Sequence, residues 1–278
     1  MPASHNNVLI RSGEALAIGW SRNMLYSGFN ILPRSVFWSA NWFRRSDNTD
    51  VIRLQAIMTQ KESIATSALE SIGCWTVTSD GHTTRLSFES CGTPNYAEMR
   101  HVADLPYLKD LCFYGTPVDG ALLSSLTCGG TLTSLNLNCT SISTNGIKEI
   151  ARFPKLNMLG LMATATDDSC LESLLLCPEI TNLRIDDTQI TASGTTQLAE
   201  NLELTTLWIG GDQISSESLT AISRLSLNEF HISGESVVDA HIELILAFPK
   251  TVSVRHTRIS NSGLERLVNV DPNASNVG

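Results

Sequence analysis

The chain has 278 residues, 42% of them apolar and 17% charged, and carries a formal net charge of −9. That length and apolar content allow a sizeable core, in one large domain or two modest ones. The acidic balance excludes a general nucleic-acid binder, which needs a basic face to displace counterions, and no stretch reaches the ~18 consecutive apolar residues of a membrane-spanning helix.

The charge is uneven along the chain. Residues 1–55 hold six Arg and three acidic residues, whereas the remainder holds 13 basic and 25 acidic residues. Such asymmetry predicts two segments with different roles, or one docked on the other. Residues 1–53 form an N-terminal segment of unknown structure. Phe37, Trp38, Trp42 and Phe43 share one face there if helical, beside Arg44 and Arg45. The segment is expected to pack these aromatics on the body that follows; an element docking on a partner or a membrane surface is the alternative. It has no charged n-region ahead of a clean apolar run, so no ordinary signal peptide is read, although a misplaced start would hide a leader. Seven cysteines without a C-x-x-C pair predict reduced thiols and a cytoplasmic setting.

Residues 54–82 read as an N-terminal helix–hairpin cap. Leu54, Ile57, Met58, Ile64, Ala65, Ala68, Leu69 and Ile72 make a helical stripe, and Gly73 suits the position after the helix end. Cys74–Thr78 alternates like a strand, and Asp80-Gly81 accepts the positive φ of a tight hairpin turn. The strand is expected to cover the edge of a sheet that begins at residue 84.

From residue 83 the chain repeats itself. LKDLCFYGTPV (108–118), LTSLNLNCTSI (132–142), LNMLGLMATAT (156–166), ITNLRIDDTQI (180–190) and LTTLWIGGDQI (204–214) share the pattern L-x-x-L-x-L-x-x-T-x-I. Weaker copies begin at 83, 227 and 249, so eight copies recur every 22 to 25 residues. In L-x-L the two apolar side chains share one face of a strand, and the second half of each unit covers that face. In 143–153 this half carries Ile147, Ile150 and Ala151 at helical spacing, with Ser143 or Thr144 as N-cap and Pro154 closing the turn. Pro106, Pro178 and Pro249 close three other units. No unit can bury its apolar face alone, so the units must stack.

The pattern resembles the leucine-rich-repeat family, in the short bacterial form L-x-L-x-x-T-x-I-[ST]-x-x-G-[LI], with Gly146-Ile147 and Gly263-Leu264 at its helix start. The resemblance implies an α/β solenoid of about eight repeats over 83–267, a curved parallel sheet with helices on the convex side. A flexible tail follows at 268–278. The position after each strand is Cys91, Thr116, Thr140, Thr164, Thr188, Asp212, Glu235 or Thr257, mostly short polar residues able to bond the backbone of the turn. Glu235 departs from that rule.

Two rows of side chains are expected on the concave face. The residue inside L-x-L is Ser87, Cys112, Asn136, Gly160, Arg184, Trp208, His231 and Ser253; the residue just after is Glu89, Tyr114, Asn138, Met162, Asp186, Gly210, Ser233 and Arg255. The N-terminal half reads as small and neutral. The C-terminal half gathers Arg184, Asp186, Trp208, Glu229, His231, Arg255 and His256, including the Trp and Arg that most often dominate binding energy. Gly210 and Gly211 leave room for a partner beside Trp208.

Chemistry finds less support. His231 and His256 are expected on adjacent strands, one position apart across the sheet, but no further His or Cys completes a zinc site. Asp186, His231 and a serine lack a strained nucleophile turn and an oxyanion hole. Cys112 faces outward beside no predicted base, and Cys128-Gly129-Gly130 reads as a turn, not a phosphate loop. Asn138-Cys-Thr140 and Asn273-Ala-Ser275 match a glycosylation acceptor that is common by chance. The expected function is a non-catalytic scaffold for a protein or peptide, with no cofactor, no metal and no nucleic acid. The alternative is an envelope-associated or extracellular structural module anchored through residues 1–53; membrane association by that route is the weaker expectation.

Overall fold

A computed structural model describes residues 9–11, 14–16, 48–92, 94–210, 214–248 and 251–270. The aromatic face at 37–43, Gly211, Asp212, Pro249, the acceptor triplet at Asn273 and the tail from 271 lie outside the described residues. Strands β1 (Leu9–Arg11) and β2 (Glu14–Leu16) pair antiparallel, Leu9 opposite Leu16.

Helix α1 spans Asn48–Ser71 and ends in a left-handed Gly73 (φ +91°). The Gly73 N–H donates to Glu70 O and the Cys74 N–H to Leu69 O, at 3.0 and 3.1 Å, which satisfies two of the helix's terminal carbonyls. The seated face is a stripe at 58, 62, 65, 69 and 72, narrower than the apolar run suggests. Ala65 and Leu69 are buried, whereas Ile57 and Ile64 are 51% and 58% exposed. Glu62 sits in that stripe because its carboxylate has two partners: Oε1 accepts the Thr83 N–H and Oε2 meets His82 Nδ1, both at 2.8 Å. A buried carboxylate is tolerable only with such partners. Beside it, the Thr66 and Thr83 hydroxyls bond at 2.7 Å.

Strands β3 (Trp75–Ser79) and β4 (His82–Ser87) form the hairpin, with Asp80 and Gly81 at φ 55° and 80°. Both turn residues take positive φ, the mirror-image turn whose twist matches the strands. Then follow β5 (Asp110–Cys112), β6 (Ser134–Asn136), β7 (Met158–Gly160), β8 (Asn182–Arg184), β9 (Thr206–Gly210), β10 (Glu229–Ser233) and β11 (Thr251–Arg255). All nine from β3 to β11 make one open sheet in chain order, parallel except for β3 at its edge. The sheet does not close, and from β4 onward short helical segments return the chain from each strand to the next.

The register is that of the repeat. Leu86, Leu111, Leu135, Leu159, Leu183, Leu207, Phe230 and Val252 stand side by side. They face inward with Phe88, Phe113, Leu137, Leu161, Ile185, Ile209 and Ile232, and meet Ile147, Ile150, Phe153, Leu171 and Leu174 from the helical side. Ala151 is half-buried. Ser143 is the N-cap of α2 (Thr144–Ile147), its hydroxyl accepting the Gly146 N–H at 3.3 Å.

The turn threonines form a ladder. The hydroxyls of Thr116, Thr140, Thr164 and Thr188 each donate to the carbonyl three residues back, at 2.7 Å in every case. The Cys91 thiol does the same to Phe88 O at 3.0 Å. Glu235 instead reaches Arg258 of the next unit. One residue before each of the four threonines, and before Glu235 and Thr257, the chain turns a left-handed corner, at Gly115, Cys139, Ala163, Asp187, Gly234 and His256, with φ between 50° and 118°. Four of these six are not glycine, so packing of the stacked units imposes the conformation.

Candidate partner-binding face

The strand face carries three rows of side chains, because the alternation that exposes positions 112 and 114 also exposes 110. The additional row is Arg85, Asp110, Ser134, Met158, Asn182, Thr206 and Glu229, in register across the sheet. Strict period-two counting from the L-x-L pair would have found it; reading only from the first leucine onward left out all but Glu229.

In the C-terminal half, Arg184 folds back on Asp186. Nε and Nη2 donate to the two carboxylate oxygens at 2.8 and 3.1 Å, a two-pronged pair. Asp186 is 8% exposed, and its hydrogen bonds, with its charge, raise the Arg184 pKa above its ordinary range. Trp208 follows Arg184 in the central row, then His231, whose ring stacks on the indole at 4.6 Å with planes 5° apart. Burial pushes the His231 pKa down; Glu229 opposes that, and Arg255 and Arg184 add to it. Glu229 Oε2 stands 3.8 Å from His231 Nε2, beyond hydrogen-bond reach. Among the described residues, His231 Nε2 and its row neighbour Ser253 Oγ are buried polar atoms without a hydrogen-bond partner.

Arg255 is exposed at the end of β11, paired in register with Ser233. His256 lies just beyond that strand, in the left-handed corner at φ 50°. His231 pairs with Ser253, so His256 is three residues further along, not one position across. The structure thus joins Arg184 to Asp186 and Trp208 to His231, sets Glu229 and Arg255 around the imidazole, and puts His256 at the rim. The space at Gly210 is already taken: a Cβ there would strike Ser233 Oγ and come within 3.1 Å of Asp186 Cβ. The room expected at Gly210 is therefore filled by Ser233 and Asp186.

The N-terminal half is less bland than its sequence suggests. Tyr114 and Met158 are 39% and 44% exposed. Arg85 Nε stands 3.9 Å from Asp110 Oδ2, and the Ser134 hydroxyl donates to Asp110 Oδ1 at 2.9 Å. Asn138 is 6% exposed, and its Oδ1 accepts the Met162 N–H at 2.7 Å. Its side-chain oxygen is thus committed to the next repeat. All seven cysteines are free thiols; burial raises Cys128 and Cys170 to about 12, and Cys177 to about 11. Among the described residues, no cluster of His, Cys, Asp or Glu could hold a metal ion, and no helix is long and apolar enough to cross a membrane.

An open parallel sheet of strand–turn–helix units, with a face of laterally aligned side chains, defines a leucine-rich-repeat solenoid. Residues 97–251, more than half of the chain, match the family described as "FBD-associated F-box protein At5g56370, LRR repeats", and the chain belongs to that family. The match does not carry the bacterial form of the repeat. Among solved structures, an internalin (inlF) from Listeria monocytogenes str. 4b F2365 is 20% identical, with TM-score 0.45, covering 64% of this chain and 49% of its own. This chain thus spans about half of that internalin. Internalin C2 (inlC2) of the same strain is 20% identical, with TM-score 0.47, covering 77% of this chain and 89% of its own. A plant ice-binding protein is 15% identical, with TM-score 0.42, covering 73% and 79%. No curated protein matches the chain.

Proposed function

We propose that this protein is a non-catalytic scaffold that recognises a protein or peptide on the C-terminal half of its concave face. The carrying observation is the Trp208–His231 stack beside the Arg184–Asp186 pair. Both are held in place before any partner arrives, so little side-chain freedom is lost on binding. Glu229, Arg255 and His256 frame the patch. Stacked repeats present extended concave surfaces suited to this use, a fold-level argument. The commitment of Asp186 to Arg184 supports a non-catalytic role, since it is not available to orient His231. Seven free cysteines favour a reducing, cytoplasmic setting.

The test is affinity capture from the native host with the wild type and with Trp208→Ala, their folds compared by circular dichroism. A partner lost only from the variant supports the scaffold and locates its site. An identical partner set, or none in either sample, sinks this reading and turns attention to residues 1–53 as an envelope anchor.

A further inference from the structure

Across β5–β9 the concave face pairs its charges: Arg184 is tied to Asp186, and Asp110 stands by Arg85. A charged partner would have to break one of these pairs or leave its own charge poorly compensated, and either costs desolvation. Between the pairs the accessible surface is soft and uncharged. Tyr114 and Met158 are exposed, Met162 and Trp208 are half-buried, and the half-buried amides of Asn136 and Asn182 lie among them. Methionine thioethers are flexible and polarisable, and mould to apolar side chains of varied shape. Trp208 gives one ring face to His231, which removes a stacking surface that a sugar ring would use.

We propose that the occupant of this face is an uncharged, extended peptide segment with apolar side chains, seated across β5–β9 against Tyr114, Met158, Met162 and Trp208. Five neighbouring strands at ~4.8 Å span roughly 19 Å, the length of about six extended residues at ~3.3 Å each. The proposal rests on the concave face being the interaction surface, extends the patch at Trp208 toward the N-terminal repeats, and adds the chemistry of what binds there.

The experiment is a selection from a random-peptide display library on the full chain, with Met158→Glu and Trp208→Ala assayed beside it. Selected peptides are synthesised and their Kd measured at about 0.1 M and about 1 M salt, between which the Debye length falls from ~10 to ~3 Å. The expected peptides carry no net charge and change affinity by less than about twofold with salt. Met158→Glu weakens them by about tenfold or more while its melting curve matches the wild type. Charged peptides that weaken with salt, yet still fail on Trp208→Ala, overturn the proposed chemistry and leave the binding face standing. Peptides that bind all three proteins equally, or a selection that yields none, overturn both.

Discussion

Trp208 and His231 stand ring to ring on neighbouring strands, their planes 5° from parallel and their centroids 4.6 Å apart. The parallel register makes them lateral neighbours, and the indole shields the imidazole from water. Burial therefore holds the His231 pKa below 6.5, with Arg255 and Arg184 acting the same way and Glu229 opposing. The unfolded chain then binds the proton more readily than the folded one. Its contribution is present above the unfolded pKa and is lost as pH falls through the folded value. The thermal midpoint should decline between about pH 7 and about pH 5, above the carboxylate range. His231→Phe should flatten that decline; equal slopes for the two proteins would refute the assignment.

Gly160 is required by a neighbour 22 residues away. A Cβ at that position would lie 2.7 Å from Asn138 Oδ1 and 3.0 Å from its Cγ and Nδ2. The same Oδ1 holds the Met162 N–H, so Gly160→Ala must displace an amide that joins two repeats. Urea denaturation should show a loss of about 1–3 kcal/mol, from overpacking and the broken bond together. Asn138→Ala should remove the clash, so the double variant should lose less than the sum of the two single ones. Strict additivity would mean that the two residues do not meet.

The threonine ladder can be tested one rung at a time. Thr140 is buried and its hydroxyl donates to Leu137 O. Thr140→Val keeps the shape and removes the donor, and should cost about 1 kcal/mol. Thr140→Ser keeps the donor and should cost less of the hydrogen-bond energy. If serine is no better than valine, the hydroxyl contributes nothing to stability.

Thiol reactivity should divide the seven cysteines. Cys74, Cys128, Cys170 and Cys177 are buried, and burial raises each of these thiols to about 11 or 12, well away from thiolate at neutral pH. Cys91, Cys112 and Cys139 are half-buried. Titration of the native protein with a disulfide reagent should modify these three first, and the other four only on unfolding. Early modification of Cys128 or Cys170, mapped by mass spectrometry, would contradict the packing.

The parallel register, the inward leucine columns and the threonine ladder were all legible in the sequence. A solenoid repeats one local environment every 22 to 25 residues, so side chains two apart on a strand and ten apart in a unit report the same contacts each time. The central row from Ser87 to Ser253 could be written down in order for the same reason. What lies between repeats was not legible. That Glu62 sits in the seated stripe of α1 while Ile57 and Ile64 face water depends on the Thr83 N–H and on His82 across the hairpin. That Gly210 is filled depends on Ser233 and Asp186 on flanking strands. The left-handed corners at Cys139, Ala163 and His256 carry no residue signal, because the stack and not the side chain imposes them. By itself the sequence determined the repeat, its register and which faces are apolar, since these follow from periodicity along one chain. Only the tertiary structure decided which charges pair, which ring covers which, and where space remains, since those depend on neighbours about one repeat away whose side chains compete for the same volume.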